Sequence, residues 1–245
     1  CHWSPRCGWP EREAFAAGLA ADQKMFGVHL LGGDTVATPG PASFSCTMLG
    51  WAPRGRIAGR NGARPGDLVF VTGVVGEGWL GLEAARGLLK LEPERIAALV
   101  DHYRMPMPRT VFASAIRDMA TAAVDVSDGL IADLGHVAEA SAVGIEIDLE
   151  HLPLSLAGHA WFDGRVDAEA ALGILATGGD DYEIAFTARA SDEGALRREA
   201  ERRRLRLTRI GQVTKGQGVT ARYGGRAVEM RKAGWTHDQD PSRDS

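Results

Sequence analysis

The chain has 245 residues, of which 44% are hydrophobic and 24% are charged, a composition typical of a globular protein with one or two domains. Its formal net charge of −4 argues against a dedicated nucleic-acid surface, and no apolar run is long enough to span a membrane. The three cysteines, Cys1, Cys7 and Cys46, form neither a disulfide framework nor a zinc-binding pattern, so a reducing, cytoplasmic location is expected.

The first fifty residues predict one helix, two strands and a glycine-rich turn. Residues 1–10 show no periodicity, whereas later spacing predicts a helix over 11–26 and strands over 28–31 and 43–51. The first of these strands ends at Gly32-Gly33-Asp34-Thr35. Paired glycines there would let a phosphate approach the backbone, and Asp34 could hold a metal ion. An ordinary turn is the alternative interpretation.

A segment rich in glycine, arginine and proline over 54–66 predicts a domain boundary. We therefore expect domains over 1–62 and 63–237 and a disordered tail over 238–245. The predicted strands of the second domain cover 67–73, 122–126, 144–149, 182–187, 207–213, 219–223 and 227–230, and the predicted helices cover 79–89, 94–103, 110–119, 130–138, 167–175 and 191–204. Residues 151–165 are expected to form a loose connection. This irregular alternation predicts an α/β or α+β fold with two layers.

Polar residues gather where the sequence VDVSDGL joins a buried strand to a helix. Asp125, Ser127 and Asp128 lie at this corner, and Gly129 turns the chain. Two carboxylates and a hydroxyl suit Mg²⁺, and free N–H groups at the helix start would suit phosphate. The alternative is that Ser127 or Asp128 is only a helix N-cap and that Asp125 only closes a turn.

A third glycine-rich corner, GGDDYE, begins at Gly178 and precedes the strand predicted over 182–187. Together the three corners supply aspartates and glycine backbone, but no nucleophile with its base. The sequence also contains no serine-hydrolase, protein-kinase or P-loop motif. Arg60, in the boundary segment, could clamp a nucleotide phosphate or could be an ordinary exposed arginine. Phosphoryl transfer depends on positioning, metals and charge neutralisation, so these features favour that chemistry.

Four segments in order, HLLGGDT, RNGARPGDLVFVTG, VDVSDGLIADLGHVAEAS and GGDDYEIAF, resemble the thiamine-monophosphate kinase family. This family lies in the superfamily of aminoimidazole ribonucleotide synthetase-like ATP-binding proteins. The resemblance covers nearly the whole chain, from about residue 11 to residue 235. It implies a partial β-rich N-terminal ATP/Mg-binding domain followed by an α/β domain. It further implies direct, Mg²⁺-assisted transfer of a phosphoryl group from ATP to thiamine monophosphate, giving thiamine diphosphate and ADP.

The resemblance also implies the partners and the site residues. A homodimer is expected, with neither nucleic acid nor membrane as a partner, and no catalytic side chain is expected because metals and positioning drive the reaction. The implied nucleotide contacts are Gly33, Asp34, Arg60 and Ser127; the implied metal ligands are Asp34, Asp125 and Asp128; the implied substrate contacts are Asp180 and Trp235. We expect Asp34, Asp125 and Asp128 to come within metal-bridging distance.

The family's further motifs, a GDDAA-like metal segment, a TTD segment and an NLSD segment, do not occur in this sequence. The first residue is Cys1, so the chain is expected to begin inside a longer protein and, by itself, to have little kinase activity. Two alternatives remain open at this point: a non-catalytic fragment that retains weak nucleotide binding or dimerisation, and another superfamily member such as a selenophosphate synthetase. The GGDDYE motif argues against the second alternative.

Overall fold

The computed structural model describes residues 1–55, 57–230 and 234, and it divides the chain into two compact units, Cys1–Pro53 and Arg54–Ser245. The predicted domain limits at residues 62 and 237 stay predictions, and the predicted tail over 238–245 lies outside the described residues. Within the described residues, no helix is long and apolar enough to cross a membrane.

The first unit is built around one helix and a small aromatic cluster. Helix α1 (Trp9–Phe26) ends at Gly27, whose φ of 65° suits glycine. Strands β1 (His2–Trp3) and β2 (Val36–Ala37) pair in parallel. The rings of Trp3, Phe15 and Phe44 lie 4.4–5.5 Å apart and form the apolar centre of this unit.

The strands predicted over 28–31 and 43–51 are wrong. In the latter segment the structure describes one isolated bridge, from Ser43 to His2, and no strand. Leu31 is 82% exposed and Met48 is 75% exposed. An apolar or alternating pattern becomes a strand only where another backbone is available to pair with it, and the described part of this unit offers none to these segments.

The second unit contains a seven-stranded sheet and seven helices among its described residues. The strands are β3 (Leu68–Thr72), β4 (Ala120–Asp125), β5 (Gly144–Asp148), β6 (Ile184–Ala188), β7 (Leu207–Thr214), β8 (Gly218–Tyr223) and β9 (Arg226–Val228). The helices are α2 (Glu77–Ala85), α3 (Pro93–Arg104), α4 (Ala113–Met119), α5 (Leu130–Ser141), α6 (Leu156–Phe162), α7 (Ala168–Thr177) and α8 (Glu193–Arg202). Helix α6, which Ser155 caps, is absent from the sequence prediction.

The sheet has the order β4-β6-β3-β7-β5-β8-β9, and every neighbouring pair is antiparallel except β5 with β8. Side chains of β3 alternate between two apolar cores, because successive residues of a strand face opposite sides. Val69 and Val71 join the core formed with α2, α3, α5, α6 and α7, whereas Leu68 and Phe70 join the core formed with α4 and α8. Helices therefore cover both faces, which confirms the α/β class and corrects the predicted two layers to three.

Candidate functional site

Two of the three predicted corners lie side by side at the end of strands β4 and β6. The pairing of these strands continues past their ends. The N–H of Val126 donates to the carbonyl of Glu183 (2.8 Å), and the N–H of Tyr182 donates to the carbonyl of Val126 (2.8 Å). The N–H of Asp180 then donates to the carbonyl of Ser127 (2.8 Å). The turn after β4 and the GGDDYE segment therefore form one backbone platform.

Glycines make this platform possible because other chain segments approach it closely. A Cβ atom on Gly179, which has a φ of 74°, would lie 2.7 Å from the carbonyl oxygen of Ser127. A Cβ on Gly178 would lie 2.4 Å from Cβ of Trp79, and one on Gly78 would lie 2.3 Å from the backbone of Asp180. The glycine pair therefore fits between the turn and helix α2 only without side chains.

Asp133, on the first turn of α5, anchors the turn that precedes its own helix. Its Oδ2 accepts the N–H groups of Ser127 (2.9 Å), Asp128 (3.0 Å) and Gly129 (3.2 Å). Burial is the main cause that raises the pKa of Asp133, against these hydrogen bonds, which lower it. The N–H groups of this turn are therefore occupied, whereas the expectation of free N–H groups at the helix start, which begins at Leu130, stays a prediction. The alternative of a Ser127 or Asp128 cap is wrong, since Gly129 is the N-cap and no side chain caps from that position.

An acidic surface surrounds this turn. Asp125 is exposed and Asp128 is half-buried. One ligand atom each from Asp128, Asp133 and His136 lie within 4.8 Å of one another, a spacing that could hold a cation. The negative charges of Asp125 and Asp128 both act on the Asp133 carboxylate, so these three groups are neighbours. His136 was missed at the sequence level, although its position one helical turn after Asp133 was a visible signal.

Asp180 and Tyr182 form a second polar pair beside this surface. The Tyr182 hydroxyl donates to Oδ1 of Asp180 across 3.2 Å, and the Tyr182 side chain remains 44% exposed. Burial is the first cause that raises the pKa of Tyr182, and the charges of Asp180 and Asp125 raise it further. The phenol therefore stays protonated, and its hydroxyl is a donor.

Asp181, between these two residues, points into the protein and caps helix α2. Its carboxylate oxygens accept the N–H groups of Gly76 (2.8 Å) and Gly78 (2.9 Å). The side chain is buried, and burial raises its pKa to about 7 although both hydrogen bonds lower it. A carboxylate at a helix N-terminus complements the helix dipole, so this contact fixes α2 to the platform.

Glu183 is fully buried and forms the deepest anchor of the platform. Arg109 donates to both of its carboxylate oxygens, with Nε lying 2.6 Å from Oε2. The hydroxyl of Thr72 donates to Oε2 across 2.7 Å. The same hydrogen bonding with Glu183 is the main cause that raises the pKa of Arg109. Sequence reasoning assigned a role neither to Glu183 nor to Arg109, and nothing local distinguishes an arginine that follows Pro108.

For the remaining predicted site residues that the structure describes, it gives a local position only. Gly33 and Asp34 are exposed in the first unit, so their approach to Asp125 stays a prediction. The carbonyl of Arg60 accepts from Ser141 Oγ (3.1 Å), and its neighbour Gly59 accepts from Ala123 of β4 (2.9 Å). Arg60 therefore lies in the segment along the outer edge of β4.

Trp235 lies outside the described residues. Gly234, just before it, is described, and a Cβ on Gly234 would lie 2.4 Å from the carbonyl oxygen of Asp128. Gly234 therefore lies against the turn that follows β4.

Comparisons with known proteins find related sequences and structures. The family model "AIR synthase related protein, C-terminal domain" matches residues 64–224. The chain is 44% identical, over 94% of its length, to a thiamine-monophosphate kinase of Caulobacter vibrioides, of which it covers 66%. It is 36% identical, over 97% of its length, to a thiamine-monophosphate kinase of Salmonella typhimurium, of which it covers 72%. The chain thus spans about two thirds of the length of these relatives.

A solved structure described as AaThiL complexed with AMPPCP and TMP is also similar. It shares 28% identity with the chain and superimposes with a TM-score of 0.74, covering 96% of this chain and 71% of its own. That protein therefore has the same fold over nearly all of the chain.

Proposed function

The chain belongs to the thiamine-monophosphate kinase family, and we propose that the complete protein transfers the γ-phosphoryl group of ATP to thiamine monophosphate, giving thiamine diphosphate and ADP. The observation that carries this proposal is the 44% identity with the relative from Caulobacter vibrioides over 94% of the chain. The relative solved with AMPPCP, an ATP analogue, and TMP supports the pair of substrates. The alternatives of a non-catalytic fragment and of a selenophosphate synthetase are not favoured.

The acidic surface supports a role for Mg²⁺ in this transfer. Both reactants carry negatively charged phosphates, which repel each other unless cations lie between them. Asp125 and Asp128 would hold the ion, since oxygen ligands suit Mg²⁺ better than the nearby His136 nitrogen does. When bound, Mg²⁺ would neutralise phosphate charge. Asp133 fixes the turn that carries Asp128, so the ligand geometry is set before substrate arrives.

The other site residues divide between the two substrates. We assign the nucleotide to Gly33, Asp34, Arg60 and Ser127, with Asp34 also a metal ligand, and the acceptor to Asp180 and Trp235. The N–H of Asp180 donates to the carbonyl of Ser127, so the residue assigned to the acceptor lies next to a residue assigned to the nucleotide. This proximity supports the division. A carboxylate there can attract the cationic thiazolium ring of thiamine.

The cellular setting is part of the proposal. The cysteines Cys1, Cys7 and Cys46 are all free in the structure, which supports a reducing, cytoplasmic location. The proposed homodimer rests on the family resemblance.

A kinetic assay of the complete gene product tests this function. We expect formation of thiamine diphosphate and ADP from thiamine monophosphate and ATP, and we expect it to depend on Mg²⁺. Asp128→Asn should lower kcat/KM about 100-fold or more, because one lost contact to transition-state charge typically costs that much. Asp163→Asn, an exposed carboxylate at the end of α6, is the matched control and should stay near the wild-type value. An active Asp128→Asn enzyme would refute the metal assignment, and absence of thiamine diphosphate in the wild-type reaction would refute the function.

A further inference from the structure

We propose that Tyr182 is a further residue of the acceptor site, where it positions the Asp180 carboxylate and helps to select a flat, cationic nitrogen heterocycle. This inference rests on the proposed function and adds to it a specificity-determining residue.

The backbone of Tyr182 is in a conformation that a bulky side chain rarely adopts. Its φ is 50°, and Asp180 has a φ of 59°. A left-handed conformation costs a residue with a Cβ on the order of 1–2 kcal/mol. Glycine would remove this cost, and glycines already occupy positions 178 and 179. A strained aromatic residue at an exposed position of a candidate site points to a use for its side chain.

The residues on either side of Tyr182 in the sequence hold its backbone in this strained conformation. Asp181 is fixed by two N–H groups of the α2 turn, and Glu183 is fixed by Arg109 and Thr72. The Tyr182 N–H is itself bound to the Val126 carbonyl. The alternation therefore buries positions 181 and 183 and turns positions 180 and 182 toward the acidic surface, so the outward pair is set before a ligand binds.

The hydroxyl of Tyr182 binds only one of the two oxygens of the Asp180 carboxylate. It donates to Oδ1 across 3.2 Å, whereas Oδ2 accepts no hydrogen bond from the part of the chain that the structure describes. One oxygen is therefore used for orientation, and the other is available to a ligand. A fixed carboxylate loses less conformational freedom on binding than a free one does.

The ring of Tyr182 adds a second element of recognition. Tyr182 as a residue is 44% exposed, and the negative charges of Asp180 and Asp125 act on its phenol group. An aromatic face next to carboxylates attracts a cation and excludes an anion. This combination suits the cationic thiazolium ring of thiamine monophosphate better than a neutral ring of similar size.

Steady-state kinetics of the complete gene product test the proposal, with Tyr223→Phe on β8 as the matched control. Tyr182→Phe should raise the KM for thiamine monophosphate about fivefold, the usual effect of one hydrogen bond, and leave the KM for ATP and kcat nearly unchanged. In an Asp180→Ala background, which removes the acceptor of this hydrogen bond, the same substitution should have no further effect, because the hydroxyl acts through that carboxylate. Equal effects in both backgrounds, an unchanged KM for thiamine monophosphate, or a shift in the KM for ATP would overturn the proposal.

A stability measurement separates this role from a structural one. Tyr182→Gly should leave the melting temperature unchanged or raise it, because glycine relieves the strain, and should raise the KM for thiamine monophosphate more than Tyr182→Phe does. A lower melting temperature with an unchanged KM would show that Tyr182 only supports the fold. If the wild-type enzyme forms no thiamine diphosphate, the proposed function fails by itself. Calorimetric titration with thiamine monophosphate then decides on Tyr182, since equal Kd values for wild type and Tyr182→Phe would overturn its role.

Discussion

Replacing Arg109 by alanine should destabilise the second unit strongly, because it leaves a buried carboxylate without its cation. Glu183 has no exposed side-chain surface, whereas the side chain of Arg109 is 21% exposed. Arg109 supplies two of the donors to that carboxylate, and the Thr72 hydroxyl and the Val74 N–H supply the others. Without the arginine the carboxylate retains only uncharged donors.

The size of the effect follows from this asymmetry in burial. Removing one partner of a buried ion pair costs about 3–5 kcal/mol. Glu183→Gln should cost less, about 1–2 kcal/mol, because it leaves behind the partly solvated arginine and retains a polar side chain. The surface pair of Arg197 with Glu193, whose side chains are 54% and 26% exposed, supplies the control, and Arg197→Ala should cost below about 1 kcal/mol.

Thermal unfolding followed by circular dichroism measures this order. At about 2–4 °C per kcal/mol for a chain of this size, Arg109→Ala should lower Tm by about 10 °C, and Glu183→Gln and Arg197→Ala should lower it by successively smaller amounts. If Arg109→Ala matched Arg197→Ala, or if Glu183→Gln lowered Tm more than Arg109→Ala does, the argument from burial would be wrong.

Two further substitutions test neighbouring anchors. Because burial raises the pKa of Asp181 to about 7 from 3.8, the folded state binds a proton that the unfolded state has lost between these values, so stability falls as pH rises through this window. Asp181→Asn should remove about 4 kcal/mol of this pH-dependent loss of stability. Urea unfolding of both proteins at several pH values measures this, and an equal dependence of stability on pH in the two proteins would contradict it. Gly73→Ala should cost more than about 2 kcal/mol, since its Cβ would lie 1.7 Å from Glu183 Oε1 at a φ of 57°. Gly87→Ala, with a φ of 73° and open space, is the control and should cost about 1 kcal/mol; equal losses would argue against the contact with Glu183.

Local sequence patterns predicted most helices and strands of the second unit, because the spacing of apolar residues in these segments matches the period of the element that forms. The apolar run before Asp125 formed β4, and the alternation after Tyr182 formed β6. The same rules failed in the first unit, where residues 43–51 alternate but find no pairing partner among the described residues. A pattern reports which face of a strand would be apolar, whereas pairing depends on backbone elsewhere in the molecule.

The sequence indicated the polar residues at the corners of the candidate site, but it did not indicate the residues that support them. Asp125 and Asp128 were predicted as carboxylates at a strand-to-helix corner, and Asp180 was predicted from the family resemblance. The support from Arg109 could not be predicted, since its partner Glu183 lies 74 positions later in the chain. Asp133 was visible in the motif, but its function depends on how the preceding turn folds back over the helix. Long-range pairing of this kind leaves no periodic trace in a sequence.

The alternation within GGDDYE has a consequence for how this family can diversify. Asp181 and Glu183 hold the fold, whereas Asp180 and Tyr182 face outward, so substitutions at neighbouring positions should have different consequences for stability. If Asp180 and Tyr182 contact the acceptor as proposed, substitutions at these two positions should change acceptor preference while Asp181 and Glu183 keep the chain folded. This separation of outward and anchoring positions would make the short stretch a favourable starting point for directed evolution of acceptor choice.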